Sequence, residues 1–211
     1  MSLPIYSDFD KCVQDLFKDD FDLKYALKVK AAAPYRVNVT QTTDFSSKGG
    51  KTSLNGKVSA KWAHESGFTL DKLEVKSDGS LVTESSLSKV YPGLKLEFKG
   101  DDSFKGDLGA IYKCSAAAVT AEVDLVEFSS VKASAVAHAG PARAGGAIEL
   151  KTGDKAEIKA MDVGVSYAVD DAFFAVKTSN KFAKYNASAS CKIQNKYTLG
   201  GLFSFAPEKS A

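Results

Sequence analysis

No stretch of this chain approaches the roughly 18 consecutive apolar residues that a membrane-spanning helix requires, and the longest uncharged runs, such as Ala133 to Ala142, are alanine-rich. A helical membrane protein is therefore excluded. Cysteine is scarce: Cys12, Cys114 and Cys191 are odd in number, widely spaced and form no CxxC pair, so neither a disulfide framework nor a zinc site is indicated. The two histidines, His64 and His138, belong to no HxxxH or HExxH arrangement, which leaves no metal site, cofactor or catalytic centre to propose, and the expectation is a protein that is not an enzyme. Charge of one sign is also lacking. With 28 Lys+Arg against 26 Asp+Glu the net charge is +2, too little for the dense basic face that nucleic acid binding demands. The N-terminus has no basic region ahead of an apolar core and no Arg-rich, acid-poor presequence, so no cleaved leader is expected.

What the chain does have is periodicity. From Ser7 to Lys18 the apolar residues Phe9, Cys12, Val13, Leu16 and Phe17 recur at steps of three and four, which predicts an amphipathic helix of about three turns. Ser7 with Asp10 three positions on reads as a variant capping box at its start. Beyond Asp22 the period becomes two. Leu23, Tyr25, Leu27, Val29 and Ala31 share one face while Lys24, Lys28 and Lys30 share the other, because successive side chains of a strand point oppositely. The pattern returns as Tyr35, Val37, Val39; as Leu54, Val58, Ala60, Trp62 against Lys57 and Lys61; as Leu94, Leu96, Phe98 against Lys95 and Lys99; and in six further runs ending with Leu199, Gly201, Phe203, Phe205. Short turn signals such as Ser77-Asp78-Gly79 and Thr152-Gly153-Asp154 separate them, giving about fourteen strands of about eight to eleven residues. Residues 1–211 are expected to form one domain, with a helical segment over 1–21, strands over 22–205 and a tail over 206–211.

Two architectures share this alternation. A soluble sandwich or ligand-holding barrel buries large side chains between layers. A closed transmembrane barrel turns its apolar face to lipid and its polar face to water, with strands of about nine to eleven residues. Here the apolar face is often small, with many alanines in the middle third, and the polar face is rich in Lys, Ser, Thr and Asp. Lys48-Gly49-Gly50-Lys51-Thr52 is a hairpin turn and no phosphate loop, since the first glycine of that motif would fall on Phe45. Asn38-Val39-Thr40 and Asn186-Ala187-Ser188 are glycosylation sequons in letter only, both lying in predicted strands.

Three stretches carry distinctive motifs: Leu3-Pro4-Ile5-Tyr6-Ser7-Asp8, continued by Lys11, Asp15 and Phe17; Gly67-Phe68-Thr69-Leu70, Gly79-Ser80-Leu81 and Pro92-Gly93-Leu94-Lys95-Leu96-Glu97-Phe98; and Thr198-x-Gly200-x-x-Phe203-x-Phe205. On these residues the chain resembles the eukaryotic porin family, the voltage-dependent anion channels of the mitochondrial outer membrane. The first stretch is similar to that family's N-terminal helix and the second to its fourth to sixth strands. The third resembles the signal by which a last barrel strand is recognised, which implies a complete C-terminal end.

The resemblance implies an all-β transmembrane β-barrel with a short N-terminal helix, passing anions and small anionic metabolites through the mitochondrial outer membrane. The lysines Lys24, Lys28, Lys30, Lys57, Lys61, Lys95 and Lys99 would line the pore and favour anions. The stripe Phe9, Cys12, Val13, Leu16, Phe17 would be the face of a gating helix, and Gly93, Leu94 and Lys95 a nucleotide contact. Expected partners are the lipid bilayer, the permeating anions and, in an alternative reading as a non-conducting accessory protein, other subunits of a membrane complex; a soluble ligand-binding β-protein is the second alternative. Two departures stand out. About fourteen strands fall short of the family's nineteen, which implies a narrower lumen. Lys72, in register with Phe68 and Leu70, is expected to face lipid where relatives carry a glutamate.

Overall fold

The computed structural model describes residues 4–17, 25–48, 51–152, 156–194 and 196–207. Lys24, among the predicted pore-lining residues, lies outside them. The strands are β1 (Tyr25–Ala33), β2 (Val37–Lys48), β3 (Lys51–Ala63), β4 (Phe68–Lys76), β5 (Leu81–Ser88), β6 (Leu94–Asp101) and β7 (Gly106–Lys113). They continue as β8 (Ala117–Asp124), β9 (Ser130–Ala139), β10 (Ala142–Lys151), β11 (Glu157–Val169), β12 (Ala172–Ser179), β13 (Lys184–Ile193) and β14 (Tyr197–Phe205). All fourteen form one antiparallel sheet in sequence order, so every connection is local and no crossover is needed. β2, β3 and β11 run longer than the expected eleven residues, at 12, 13 and 13. The Tyr35 position of the predicted second strand is instead a turn residue with φ of 62°, and β2 begins at Val37.

The predicted N-terminal helix is broken. One α-helical stretch, α1 (Lys11–Gln14), is flanked by 3-10 turns at Tyr6–Asp8 and Asp15–Phe17. The capping box does not form: Asp10 is the N-cap of α1 but makes no cap bond with its side chain. Its carboxylate is drawn to other partners, described below, and a helix this short keeps few internal bonds of its own.

The chain forms two units. One comprises Met1–Asp19, Ile111–Glu122 and Phe128–Ala211; the other comprises Asp20–Ala110 and Val123–Glu127. In the second unit, Lys28 and Lys30 pair with Thr42 and Thr40, and Thr40 with Ser59, so the polar face continues unbroken across β1 to β3. The other face carries Leu27, Val29, Val58 and Val75, all exposed. In the first unit, Val163, Val165 and Tyr167 on β11, Phe174 and Val176 on β12 and Leu199, Phe203 and Phe205 on β14 are likewise exposed. Among the described residues, the buried apolar side chains are Tyr6, Phe9, Val13, Ala118, Val136 and Ala175. A soluble sandwich of this length would bury a far larger apolar core between its layers. The exposed apolar face needs a nonaqueous neighbour.

Candidate functional site

In the first unit the N-terminal segment lies on the polar face of the sheet. Tyr6 and Phe9 pack with their rings 5.6 Å apart and cluster with Val136 of β9 and Ala175 of β12. Burying Phe9 and Val13 removes each from water almost completely, at 1% and 0% exposed, and each stabilises the docked position by about 1.5–3 kcal/mol. The predicted stripe thus divides. Phe9 and Val13 are buried, whereas Cys12, Leu16 and Phe17 are exposed, and the third buried apolar residue of the segment is Tyr6. A regular helical period from Ser7 onward leaves Tyr6 out, and the 3-10 turn at Tyr6–Asp8 brings it onto the packed side instead.

Small residues in the wall make this contact possible. A Cβ on Gly145 would fall 2.8 Å from the carbonyl oxygen of Ala135 and 3.1 Å from the Tyr6 ring. On Gly164 it would meet Lys177 and Val176 at 3.0 and 3.2 Å with Phe9 at 3.4 Å, and on Gly200 it would sit 2.7 Å from Leu16. These glycines belong to β10, β11 and β14, and each lies where the segment passes.

One ion pair fixes the segment. Lys177 Nζ of β12 donates to Asp10 Oδ1 at 2.6 Å, with the side chains 19% and 4% exposed. Gln14 Nε2 donates to both oxygens of the same carboxylate at 3.1 Å. Removing either member of so buried a pair would leave an uncompensated charge. The Tyr6 phenol is pushed up to about 12, chiefly by burial and then by the negative charges of Asp162 and Asp10. Beside the pair, a cavity of about 320 Å³ opens between the segment and β12 to β14, lined by Asp10, Gln14, Lys177, Asn186, Ser188 and Ser204. Sequence patterning does not single out Asp10 and Lys177, because the two are 167 residues apart and belong to no common motif.

The polar face of the second unit is built differently. Lys57 lies 3.9 Å from Glu74 and Lys61 lies 3.8 Å from Asp71. Lys72 lies 3.5 Å from Glu74 and 3.8 Å from Glu84, while Lys95 Nζ reaches Glu97 at 2.7 Å. Lys99 stands opposite Glu84 in the β5–β6 register. Four of the predicted pore-lining lysines, Lys57, Lys61, Lys95 and Lys99, therefore share their face with carboxylates, and Lys28 and Lys30 extend it on β1. Gly93 occupies a turn with φ of 84° and Leu94 opens β6, so Gly93, Leu94 and Lys95 form a turn followed by a lysine on the polar face.

Lys72 does not face the apolar side. A β-bulge shifts the register between Leu70 and Lys72 on β4, and between Ala60 and Trp62 of its partner β3. Two residues, Asp71 and Lys72, then oppose Lys61, and both turn to the polar face. Leu73 and Val75 resume the apolar side, exposed, while Glu74 is 4% exposed beside Lys57 and Lys72.

Among the described residues no group of three or more His, Cys, Asp or Glu could hold a metal ion. No helix of the described residues is long and apolar enough to cross a membrane. A search of curated proteins returns no match. Residues 3–210, nearly the entire length, match the family described as eukaryotic porin, whose members are β-barrel membrane channels, and with that match, the fourteen-stranded sheet and its exposed apolar face, the chain belongs to the eukaryotic porin family.

Proposed function

We propose that this porin is a passive, voltage-dependent and weakly anion-selective channel of the mitochondrial outer membrane, carrying anions and small anionic metabolites down their gradients with no covalent step. The observation that carries the reading is the segregation of the two faces: valines, leucines and aromatics exposed on one, ammonium and carboxylate groups on the other. Because most of the lysines have carboxylate neighbours, the lumen field they create is small, and selectivity is mild.

The N-terminal segment supplies both aperture control and a voltage sensor. Between Tyr6 and Phe17 it carries Asp8, Asp10 and Asp15 against Lys11. Each elementary charge moved across the full membrane potential changes the energy by about 2.3 kcal/mol per 100 mV, so a partial displacement of this segment biases its docking measurably. Phe9 and Val13 hold the docked state, and Cys12, Leu16 and Phe17 are the side chains an altered position would rebury. Gly93, Leu94 and Lys95 are a candidate nucleotide contact on the same polar face as Glu97.

Recording of refolded protein in a planar bilayer tests the reading. Step-like conductance, a reversal potential displaced toward that of chloride under a KCl gradient, and closure at high voltage are expected. No conductance above background would overturn it.

A further inference from the structure

The polar face of the second unit holds a cavity of about 590 Å³ whose lining includes Lys30, Lys61, Lys72, Asp71, Asn38 and Thr40. Three ammonium groups and one carboxylate border it. From this cavity we infer a resident binding site for an anion carrying two linked phosphates, held by Lys30, Lys61 and Lys72. The inference deepens the channel reading, on which it rests for the route by which such an anion reaches the site.

Two features suit these lysines to the role. The first is how loosely the surrounding carboxylates hold them. Four lysines elsewhere make short bonds, 2.6 Å for Lys177–Asp10, 2.7 Å for Lys95–Glu97 and Lys159–Glu149, and 2.9 Å for Lys132–Glu122, while Lys57 on the same face and Lys11 stand 3.9 and 3.6 Å from Glu74 and Asp8. At the cavity the Lys61–Asp71 distance is 3.8 Å, and Lys72 stands 3.5 and 3.8 Å from Glu74 and Glu84, all beyond hydrogen-bond length. Those ammonium groups keep donors unspent. Asp71 is already engaged, since its Oδ2 accepts a hydrogen bond from the Ser86 hydroxyl. Lys30 makes no ion pair among the described residues and is exposed on β1, in register with Thr40.

The second is that the bulge creates the site. Strict alternation from Leu70 would send Lys72 to the apolar side; the extra residue turns it inward, beside Lys61. Lysine binds phosphate as a point charge with three rotatable donors, and several converging on one cavity suit a multivalent anion better than chloride, whose single charge gains from one ammonium at a time. Asn38 adds an amide donor and Thr40 a hydroxyl. A cavity of this size also has room for an organic group beyond the phosphates.

Titration calorimetry of the whole chain in dodecyl maltoside micelles, with sodium pyrophosphate as the probe, tests the site. Saturable binding of one pyrophosphate per chain is expected, weakened by about tenfold or more in Lys72→Gln, as loss of one charged hydrogen-bond donor implies. Lys72→Arg, which keeps the charge, should retain binding, and Lys132→Gln, on β9, should leave it unchanged. Should Lys72→Gln lose its strand signal in circular dichroism, Lys30→Gln and Lys61→Gln carry the same expectation. No saturable binding by the parent chain, or equal binding by the folded glutamine variants, would overturn the site. Bilayer conductance of the same preparations separates the two readings: a conducting chain that binds no pyrophosphate removes the site alone, and a binding chain that does not conduct removes the channel alone.

Discussion

The two units treat their polar faces in opposite ways. In the unit that carries the N-terminal segment, the buried set is mainly apolar, with Tyr6, Phe9, Val13, Val136 and Ala175 packed over glycines beside the buried Asp10–Lys177 ion pair. In the other, the buried side chains among the described residues are Glu74 and Ser86, and the face is a loose array of lysines and carboxylates around an open cavity. One wall is shaped to hold a piece of its own chain, and the other stays wet. Antiparallel strands support both, and the difference lies in side-chain size and charge at alternate positions together with the bulge that adds Lys72 to the wet face.

Breaking the Asp10–Lys177 pair should have the largest effect on this contrast. Lys177→Met leaves the Asp10 carboxylate buried without its cation, and docking should weaken by about 3–5 kcal/mol, read as faster tryptic cleavage after Lys11. The double variant Asp10→Leu with Lys177→Met should recover part of the loss, because it removes the stranded charge. A smaller change comes from filling the wall: Gly145→Ala places a methyl against Ala135 and Tyr6, and by the usual cost of overpacking docking should weaken by about 1–3 kcal/mol in the same assay. The smallest is expected at an exposed pair in the docked unit. Lys159→Gln breaks a 2.7 Å contact with Glu149 whose lysine is 63% exposed, and the thermal midpoint should move by the equivalent of about 0–1 kcal/mol. A large shift there would mean that short ion-pair distance, rather than burial, governs the contrast.

The alternation of Leu27 and Val29 with Lys28 and Lys30 is enough to foresee paired strands with segregated faces, and the register bears it out. β10 is harder to read, because Ala144-Gly145-Gly146-Ala147 alternates nothing in polarity; its face is decided by what packs on it. The apolar stripe of the N-terminal segment is legible as a period and not as a position. Short 3-10 turns replace the regular helix, and Tyr6 takes a place on the packed side that the helical period assigns to Cys12. Lys72 is the instructive case. Leu70 and Leu73 stand three apart where the neighbouring apolar residues stand two apart, and that slip is the mark of the bulge. No local pattern could join Asp10 to Lys177, since their meeting depends on where the sheet carries β12.

The bulge also makes β4 one residue longer in sequence than in span. Deleting Asp71 would leave Leu70, Leu73 and Val75 toward the acyl chains and Lys72 and Glu74 toward water, an ordinary strand of the same height. The membrane-facing surface is thus insulated from a single-codon loss at this point, while the aqueous side would forfeit one carboxylate beside Lys61.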